Sequence, residues 1–290
     1  MNKLEDAHQP RRRHITGLAV TAFYTCGVWN WGRLPCAPLL ISQDARNTFR
    51  ATNLVLSLAG LFTRGPSLKH SLLQRHVMID RWLGENGALQ IIELAAGFSP
   101  RGAAFTDSPY LTYIEIDLPE VIDRKKRLLA RTKEGRSILR RPNLKLIGDD
   151  VLRIDLTALI DSSKPLFVVA EGLFMYYQAP EQSMIWSKIY NAVSACGRDG
   201  GLIFDLVPSV EQAPSGVIGR ALERMMKSFT QGQSFERDGR TRFEIREELL
   251  KIGFPRVTLL EPSLVAEKWT LPFADKKTQQ LLFVCEIEGR

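Results

Sequence analysis

The clearest structural signal in this chain is the stretch Leu89-Gln90-Ile91-Ile92-Glu93-Leu94-Ala95-Ala96-Gly97. It begins with a short apolar run, reaches one acidic residue and ends in three small residues. This order is typical of a buried strand followed by a turn, and the small residues Ala95 and Gly97 would let that turn approach a ligand closely. Glu93 could orient the turn or reach toward a cationic amino-acid group. The alternative for Glu93 is a hydrogen bond to backbone at a strand end.

Two further apolar runs end in acidic residues, namely Tyr113-Ile114-Glu115-Ile116-Asp117 and Val168-Val169-Ala170-Glu171. Asp117 follows Gly97 by about 20 positions, the spacing at which a carboxylate meets ribose hydroxyls in dinucleotide-binding folds. Glu115 remains an alternative, because strand ends inferred from sequence are displaced by a few residues. Three acidic strand ends predict an adenosyl cofactor that carries positive charge.

After residue 84 the sequence alternates short β-rich runs with helical ones, which predicts an α/β fold with a largely parallel sheet flanked by helices. Seven strands are predicted, near residues 89–94, 111–117, 144–147, 166–171, 201–206, 256–260 and 281–287. The connection between the last two has little helical signal, so an antiparallel edge strand is expected there. Ligands of such sheets bind beyond the carboxyl ends of the strands.

Three regions are expected around and within this sheet. Residues 1–14 are polar and basic and predict a disordered tail, and residues 15–83 have a helical pattern that predicts a cap. The sheet domain spans residues 84–290, with a helical lid insertion over residues 208–242. We therefore expect one large domain with a helical layer at its N-terminal side.

The composition argues against several classes of protein. The formal net charge is +7, but the basic clusters are separated along the chain, which favours solvated surface over a nucleic-acid site. The four cysteines and four histidines show no metal-ligand spacing, so no metal site is predicted. No run reaches the roughly 20 apolar residues of a membrane span. We expect a reduced, cytoplasmic protein, either a monomer or a dimer, with no nucleic-acid or membrane partner.

Two further positions are candidates for ligand binding. Asp150 in Gly148-Asp149-Asp150-Val151 follows the third strand and could accept a hydrogen bond from an adenine amine while Val151 packs on the ring. A simple Gly-Asp turn is the alternative. Glu171 lies between two hydrophobic segments, and a bound cation or a set of hydrogen-bond donors would offset the cost of burying its charge.

Residues 93–101, 113–122 and 170–176 resemble, in order and spacing, the three signature blocks of the leucine carboxyl methyltransferase family. That family includes polyketide O-methyltransferases of the tetracenomycin type. The resemblance implies a seven-stranded Rossmann-like methyltransferase that uses S-adenosylmethionine and releases S-adenosylhomocysteine. The chain departs from the family pattern where relatives commonly have Leu-Gly-Ala-Gly followed by Asp: here Leu94-Ala95-Ala96-Gly97 is followed by Ser99.

The resemblance also implies roles for residues around the methionine part of the cofactor. Arg75 would pair with the methionine carboxylate. Glu171 would face the methionine ammonium or the surroundings of the sulfonium. Tyr176 would border the site of the methyl acceptor.

For the nucleoside part, the resemblance places Gly97 under the cofactor. Asp117 would hold the ribose, and Asp150 and Val151 would bind the adenine. The dehydrogenase pattern Gly-x-Gly-x-x-Gly is absent at this turn, where only Gly97 and Gly102 are glycine, which disfavours a nicotinamide cofactor.

The expected reaction is in-line methyl transfer from the sulfonium to an oxygen of a small molecule, such as a polyketide-like or aromatic metabolite of secondary metabolism. A carboxylate acceptor is already ionised near neutral pH and needs no base. A hydroxyl acceptor would need one, for which His70 and His76 are candidates. The alternatives are methylation of a protein C-terminal carboxylate and a non-catalytic module that only binds S-adenosylmethionine.

Overall fold

The computed structural model describes residues 15–60, 67–208, 239–276, 278 and 280–289. Within them lies a sheet of seven strands in the order β3-β2-β1-β4-β5-β7-β6. The strands are β1 (Gln90–Leu94), β2 (Thr112–Asp117), β3 (Leu144–Gly148), β4 (Phe167–Ala170), β5 (Gly200–Asp205), β6 (Arg256–Leu260) and β7 (Leu282–Ile287). The tail predicted over residues 1–14 and residues 209–238 of the predicted lid lie outside the described residues.

The sheet is mostly parallel, as the sequence predicts. Strands β3, β2, β1, β4 and β5 run in the same direction, and β7 is antiparallel to both β5 and β6. The antiparallel strand expected at this end of the sheet therefore lies between β5 and the edge strand β6. The predicted seven-stranded α/β architecture is confirmed.

Four helices precede the first strand, over the region predicted to be a cap: α1 (Ile15–Trp31), α2 (Ala37–Leu40), α3 (Gln43–Gly60) and α4 (Leu68–Glu85). The other described helices are α5 (Arg101–Phe105), α6 (Pro119–Leu129), α7 (Lys133–Ile138), α8 (Ala179–Ala195), α9 (Arg242–Ile252) and α10 (Pro262–Val265). Two 3-10 turns span Thr157–Leu159 and Phe174–Tyr176. In this part of the chain, no helix combines the length and apolar content that crossing a bilayer requires.

Local sequence explains where the longer helices begin and end. Helix α8 starts with a capping box in which Gln178 and Glu181 satisfy each other's backbone N–H groups, and Thr241 and Glu244 do the same at the start of α9. Helix α9 ends at Gly253, whose φ of 131° a larger residue rarely adopts. These signals are local, which is why sequence patterns place such helices well.

Alternating strand residues form two hydrophobic layers, one on each face of the sheet. On one face, residues such as Ile92 and Phe204 pack against Trp186 of α8 and Leu249 of α9. On the other face, Ile91 and its neighbours pack against the second half of α4. Helix α4 therefore serves both as the last helix of the predicted cap and as a layer that flanks the sheet, and it carries its side chains to the carboxyl edge.

Candidate functional site

The turn after β1 is tied to the end of β2. Ala95 and Gly97 both have left-handed backbones, with φ of 53° and 51°. The Gly97 N–H donates to Asp117 Oδ2 at 2.6 Å, and the Leu118 N–H donates to Asp117 Oδ1 at 2.7 Å. Burial raises the pKa of Asp117, and these two N–H donors oppose that rise. Asp117 is only partly buried, so its carboxylate lies at the edge of the sheet with acceptor capacity to spare.

Glu115, the alternative to Asp117, lies deeper in the protein. Its side chain is fully buried and pairs with Lys125 of α6, whose ammonium also donates to the Ser99 carbonyl oxygen at 2.6 Å. The backbone of Ser99 thus holds a buried lysine. The structure therefore leaves Asp117, rather than Glu115, at the carboxyl edge.

We expect Glu115 to make the stability of the protein depend on pH. Burial raises its pKa from 4.5 to about 7 even beside Lys125. The folded protein then holds this proton more tightly than the unfolded chain does. The resulting stabilisation is complete below pH 4.5 and is lost as the pH rises through about 7. Denaturant unfolding of Glu115→Gln across this range should show a weaker fall in the free energy of unfolding than wild type, and an identical slope would contradict the assignment.

Arg75 joins three elements at the carboxyl edge. Its Nε donates to Glu171 Oε1 at 3.0 Å and its Nη1 donates to Asp205 Oδ2 at 2.7 Å. The other oxygen of Asp205 accepts the N–H of Gly172. Helix α4, the loop after β4 and the end of β5 are thus held together by one guanidinium group and two carboxylates.

A second buried guanidinium, that of Arg101 at the start of α5, contacts three carboxylates. Its Nε donates to Asp80, its Nη1 to Glu93 and its Nη2 to Glu171, the last at 2.8 Å. Glu93 also accepts the Tyr113 hydroxyl at 2.9 Å and is buried. Both Arg101 and Tyr113 therefore donate hydrogen bonds to Glu93. From this position Glu93 stabilises the end of β1 behind the turn.

Among the described residues these contacts form one ionic cluster, with the members Arg75, His76, Asp80, Glu93, Arg101, Glu171 and Asp205. Its four carboxylates face two guanidinium groups, so negative charge is in excess whether or not His76 is protonated. Burial alone would raise the pKa of Glu171. The neighbouring His76, Arg75 and Arg101 outweigh burial and hold that pKa well below its ordinary value. With a neutral His76, the buried members of the cluster keep one negative charge in excess, and the partly exposed Asp80 adds a second; a bound cation would compensate this surplus.

Helix α1 lies over this edge of the sheet. Thr21 forms a hydrogen bond with the hydroxyl of Tyr176, and burial raises the pKa of that phenol, which keeps it neutral near pH 7. Ala22 lies beside the turn, where a Cβ placed on Gly97 would be 3.8 Å from its methyl group. The structure thus brings Tyr176 close to Arg75 and Asp205, whose charges act on it, and to Thr21 of α1.

The predicted adenine contacts lie in the turn that follows β3. Asp150 Oδ1 accepts the N–H of Leu152 at 2.9 Å, and the Asp150 N–H donates to Asp149 at 2.7 Å. Asp150 is partly buried, whereas Val151 is buried and packs within the hydrophobic layer beneath α8. Asp150 therefore forms the local side-chain to backbone turn that is common for Asp residues. A role of this turn in adenine binding stays a prediction.

The two candidate bases lie in different surroundings. His76 is buried, with Nδ1 2.9 Å from Glu171 Oε2 and Nε2 3.7 Å from Asp80 Oδ2. Within the described part of the chain, both ring nitrogens face carboxylates, so neither is presented to an acceptor. His70 is partly exposed, its Nδ1 lies 2.6 Å from the Ser67 hydroxyl, and burial together with Lys69 lowers its pKa. A role of His70 as a base stays a prediction.

Sequence reasoning missed three members of the ionic cluster, namely Asp80, Arg101 and Asp205. Asp205 ends the apolar run Leu202-Ile203-Phe204, so it carries the same signal that identifies Glu171 and could have been found in the same way. Arg101 had no such signal, because an arginine in the first turn of a short helix is usually solvated. Only the three-dimensional proximity of three carboxylates explains its burial.

We expect Ala95→Gly to stabilise the protein slightly. A non-glycine residue in the left-handed region costs about 1–2 kcal/mol, and the greater freedom of glycine in the unfolded chain offsets part of that gain. Denaturant unfolding should show a gain of about 0.5–1 kcal/mol. The neighbouring Ala96→Gly, at a position without positive φ, should lower stability. Equal losses in both variants would argue against strain at Ala95.

The sequence of the chain is also similar to those of known proteins. The family model for leucine carboxyl methyltransferase matches residues 35–190, more than half of the chain. A proposed S-adenosyl-L-methionine-dependent methyltransferase of Mycobacterium avium is 36% identical over 115 residues, 39% of this chain and 35% of that protein. A similar protein of Mycobacterium tuberculosis is 31% identical over 103 residues, 36% of this chain and 34% of that protein. The match thus spans about a third of the length of these relatives.

Among solved structures, an O-methyltransferase family protein from Burkholderia thailandensis is similar in fold. It superposes with a TM-score of 0.51 at 15% sequence identity, covering 93% of this chain and 72% of the other. At this identity the likeness concerns the fold alone. It agrees with the Rossmann-like methyltransferase fold predicted from the sequence.

Proposed function

The chain belongs to the leucine carboxyl methyltransferase family, and on that premise we propose that it is an S-adenosylmethionine-dependent O-methyltransferase acting on a small molecule. S-adenosylmethionine is the methyl donor and S-adenosylhomocysteine the product. The names of the mycobacterial relatives support this donor. Because those relatives are matched over about a third of their length, the activity is proposed from the site of this chain as well as from its family.

The proposal rests mainly on the excess negative charge of the ionic cluster at the carboxyl edge. S-adenosylmethionine has a sulfonium, an ammonium and one carboxylate, so it brings a net positive charge to the site. The residues present fit this donor. Gly97 lies in the left-handed turn and has no side chain, so the space that a side chain would occupy is left to the donor. When bound, the donor supplies an electrophilic methyl group.

Each predicted cofactor residue has a role that its contacts allow. Asp117 holds the ribose hydroxyls with the acceptor capacity left over from its two N–H partners. Arg75 uses Nε and Nη1 within the cluster, so its Nη2 is the group that reaches the methionine carboxylate. Glu171 faces the methionine ammonium or the sulfonium. Asp150 and Val151 bind the adenine.

The acceptor reacts through an oxygen in the space that Tyr176 borders. The neutral phenol of Tyr176 can donate or accept a hydrogen bond and so orient the acceptor. The family description favours a carboxylate, which needs no base, and a protein C-terminal carboxylate is therefore the second candidate. A phenolic hydroxyl would need a base, for which His70 is the candidate.

Incubation with methyl-labelled S-adenosylmethionine tests the proposal. The acceptors would be a panel of aromatic acids and phenols, together with a peptide ending in a free carboxylate and its amidated form. We expect label in small molecules. Label in the free but not the amidated peptide would support the second candidate, and donor binding without transfer to any acceptor would reduce the protein to a binding module. Absence of donor binding would refute the proposal.

A further inference from the structure

The carboxylate of Glu171 is held on both oxygens. Oε1 accepts Arg75 Nε at 3.0 Å, and Oε2 accepts Arg101 Nη2 at 2.8 Å. His76 Nδ1 lies 2.9 Å from the same Oε2. A carboxylate offers about four acceptor positions, so within the described residues three are taken and one is left for a ligand. The three donors fix the plane of the carboxylate. That plane determines the direction in which the remaining acceptor position points.

The contacts of His76 determine which of its nitrogens carries the proton. Nδ1 lies 2.9 Å from both Glu171 Oε2 and Arg101 Nη2. With Nδ1 unprotonated, its lone pair could accept from Arg101 Nη2, but it would also face a carboxylate oxygen at the same distance, which is repulsive. With Nδ1 protonated it donates to Glu171, and Arg101 directs its own hydrogen to that same carboxylate. We therefore assign the proton to Nδ1.

The ring of His76 is also fixed from its other sides. Nε2 faces Asp80 Oδ2 at 3.7 Å, beyond hydrogen-bond distance. The indole of Trp29 on α1 lies against the imidazole, with ring centroids 5.0 Å apart. The side chain is 1% exposed. With so little freedom, the imidazole can impose its own orientation on Glu171.

We propose that His76 is a positioning residue for methyl transfer: through Nδ1–H it orients Glu171 so that the remaining acceptor position of that carboxylate faces the positively charged part of S-adenosylmethionine. This inference rests on the proposed function. His76 touches neither donor nor acceptor and acts only through Glu171. Its role is thus distinct from that of a base, and it applies to carboxylate and hydroxyl acceptors alike.

A pair of amide variants tests this role. The amide nitrogen of asparagine is as many bonds from Cα as Nδ1, and that of glutamine is as many as Nε2. His76→Asn can therefore keep a donor toward Glu171, whereas His76→Gln places its donor toward Asp80. Both variants are neutral and polar, so they differ mainly in the carboxylate to which they donate a hydrogen bond.

The measurements are calorimetric titration with S-adenosylmethionine and thermal unfolding of wild type and both variants. We expect His76→Asn to bind within about threefold of wild type and His76→Gln to bind about ten- to a hundredfold more weakly, the effect of losing a hydrogen bond to a charged group. The KM for the donor should rise more than kcat falls in His76→Gln. Equal binding by the two variants, or losses of affinity that simply follow their unfolding temperatures, would overturn the proposal. Failure of wild type to bind the donor would instead refute the proposed function.

The wild-type protein provides a test that needs no variant to fold. Of the two histidines in the described part of the chain, His70 and His76, it is His76 whose Nδ1 proton is predicted to bond to a carboxylate. In a protein labelled with nitrogen-15 histidine, we expect its ring resonances to show a proton on Nδ1 and to shift when S-adenosylmethionine is added. A proton absent from Nδ1, or resonances unchanged by saturating donor, would contradict the role.

Discussion

Replacing Arg101 with methionine is expected to lower the free energy of unfolding by about 3–5 kcal/mol, the usual cost of removing one partner of a buried ion pair. Arg101 is fully buried and donates to Asp80, Glu93 and Glu171. Without it, Glu93 keeps only the Tyr113 hydroxyl among its described partners, so its buried charge is no longer balanced. Methionine fills similar volume, so lost packing contributes little to the expected change.

Arg153→Met is the matched control for this prediction. Arg153 is exposed, and the same substitution there should change the free energy of unfolding by no more than about 0.5 kcal/mol. Chemical denaturation of the two variants in one buffer compares them directly. A loss in Arg101→Met as small as that of the control would mean that the ionic cluster does not hold α4, α5 and the strand ends together.

Asp117→Ala is expected to weaken the binding of S-adenosylmethionine by about 1–3 kcal/mol, the range for losing a charged hydrogen-bond partner. The Asp117 carboxylate accepts from Gly97 and Leu118 and has capacity left for the ribose hydroxyls. Alanine removes the ribose contact and also the acceptor that ties the turn to β2. Calorimetric titration gives the dissociation constant, and an unchanged value would contradict the assignment of Asp117 to the ribose.

Two further variants separate these effects. Asp117→Asn keeps one side-chain oxygen for the backbone N–H donors, so it should retain more of the stability of the turn than alanine does. Asp123→Ala removes an exposed carboxylate from α6 and should leave the dissociation constant unchanged within about twofold. Weakening by Asp123→Ala equal to that of Asp117→Ala would indicate a general charge effect rather than a contact with the donor.

The sheet could be predicted well from the sequence because its strands are short apolar runs bounded by turn residues. Strand β1 begins one residue after the predicted start, and β6 has the predicted bounds. The position of β7 between β5 and β6 was beyond such reasoning, since strand order depends on pairings between distant segments rather than on local pattern. The sequence thus predicts the α/β class, but it does not predict which strands are neighbours in the sheet.

The candidate site could be predicted from the sequence only in part. The sequence identified Glu171 and Arg75 as separate cofactor contacts, whereas the structure joins them in an ion pair. It also identified Glu93 without its partner Arg101. An acidic strand end signals that a charge must be compensated, but it does not say whether a ligand or a distant side chain compensates it. At Glu171, Arg75, Arg101 and His76 supply that compensation among the described residues, and a ligand contact there is part of the proposal.

The most direct test of a donor site at the carboxyl edge is a crystal structure of the protein soaked with S-adenosylmethionine. We predict ribose hydroxyls within hydrogen-bond distance of Asp117 and the positively charged part of the donor beside Glu171. A donor bound elsewhere, or a saturating soak that leaves Asp117 and Glu171 with protein partners alone, would contradict the proposal that the negative surplus of this edge binds a cationic methyl donor.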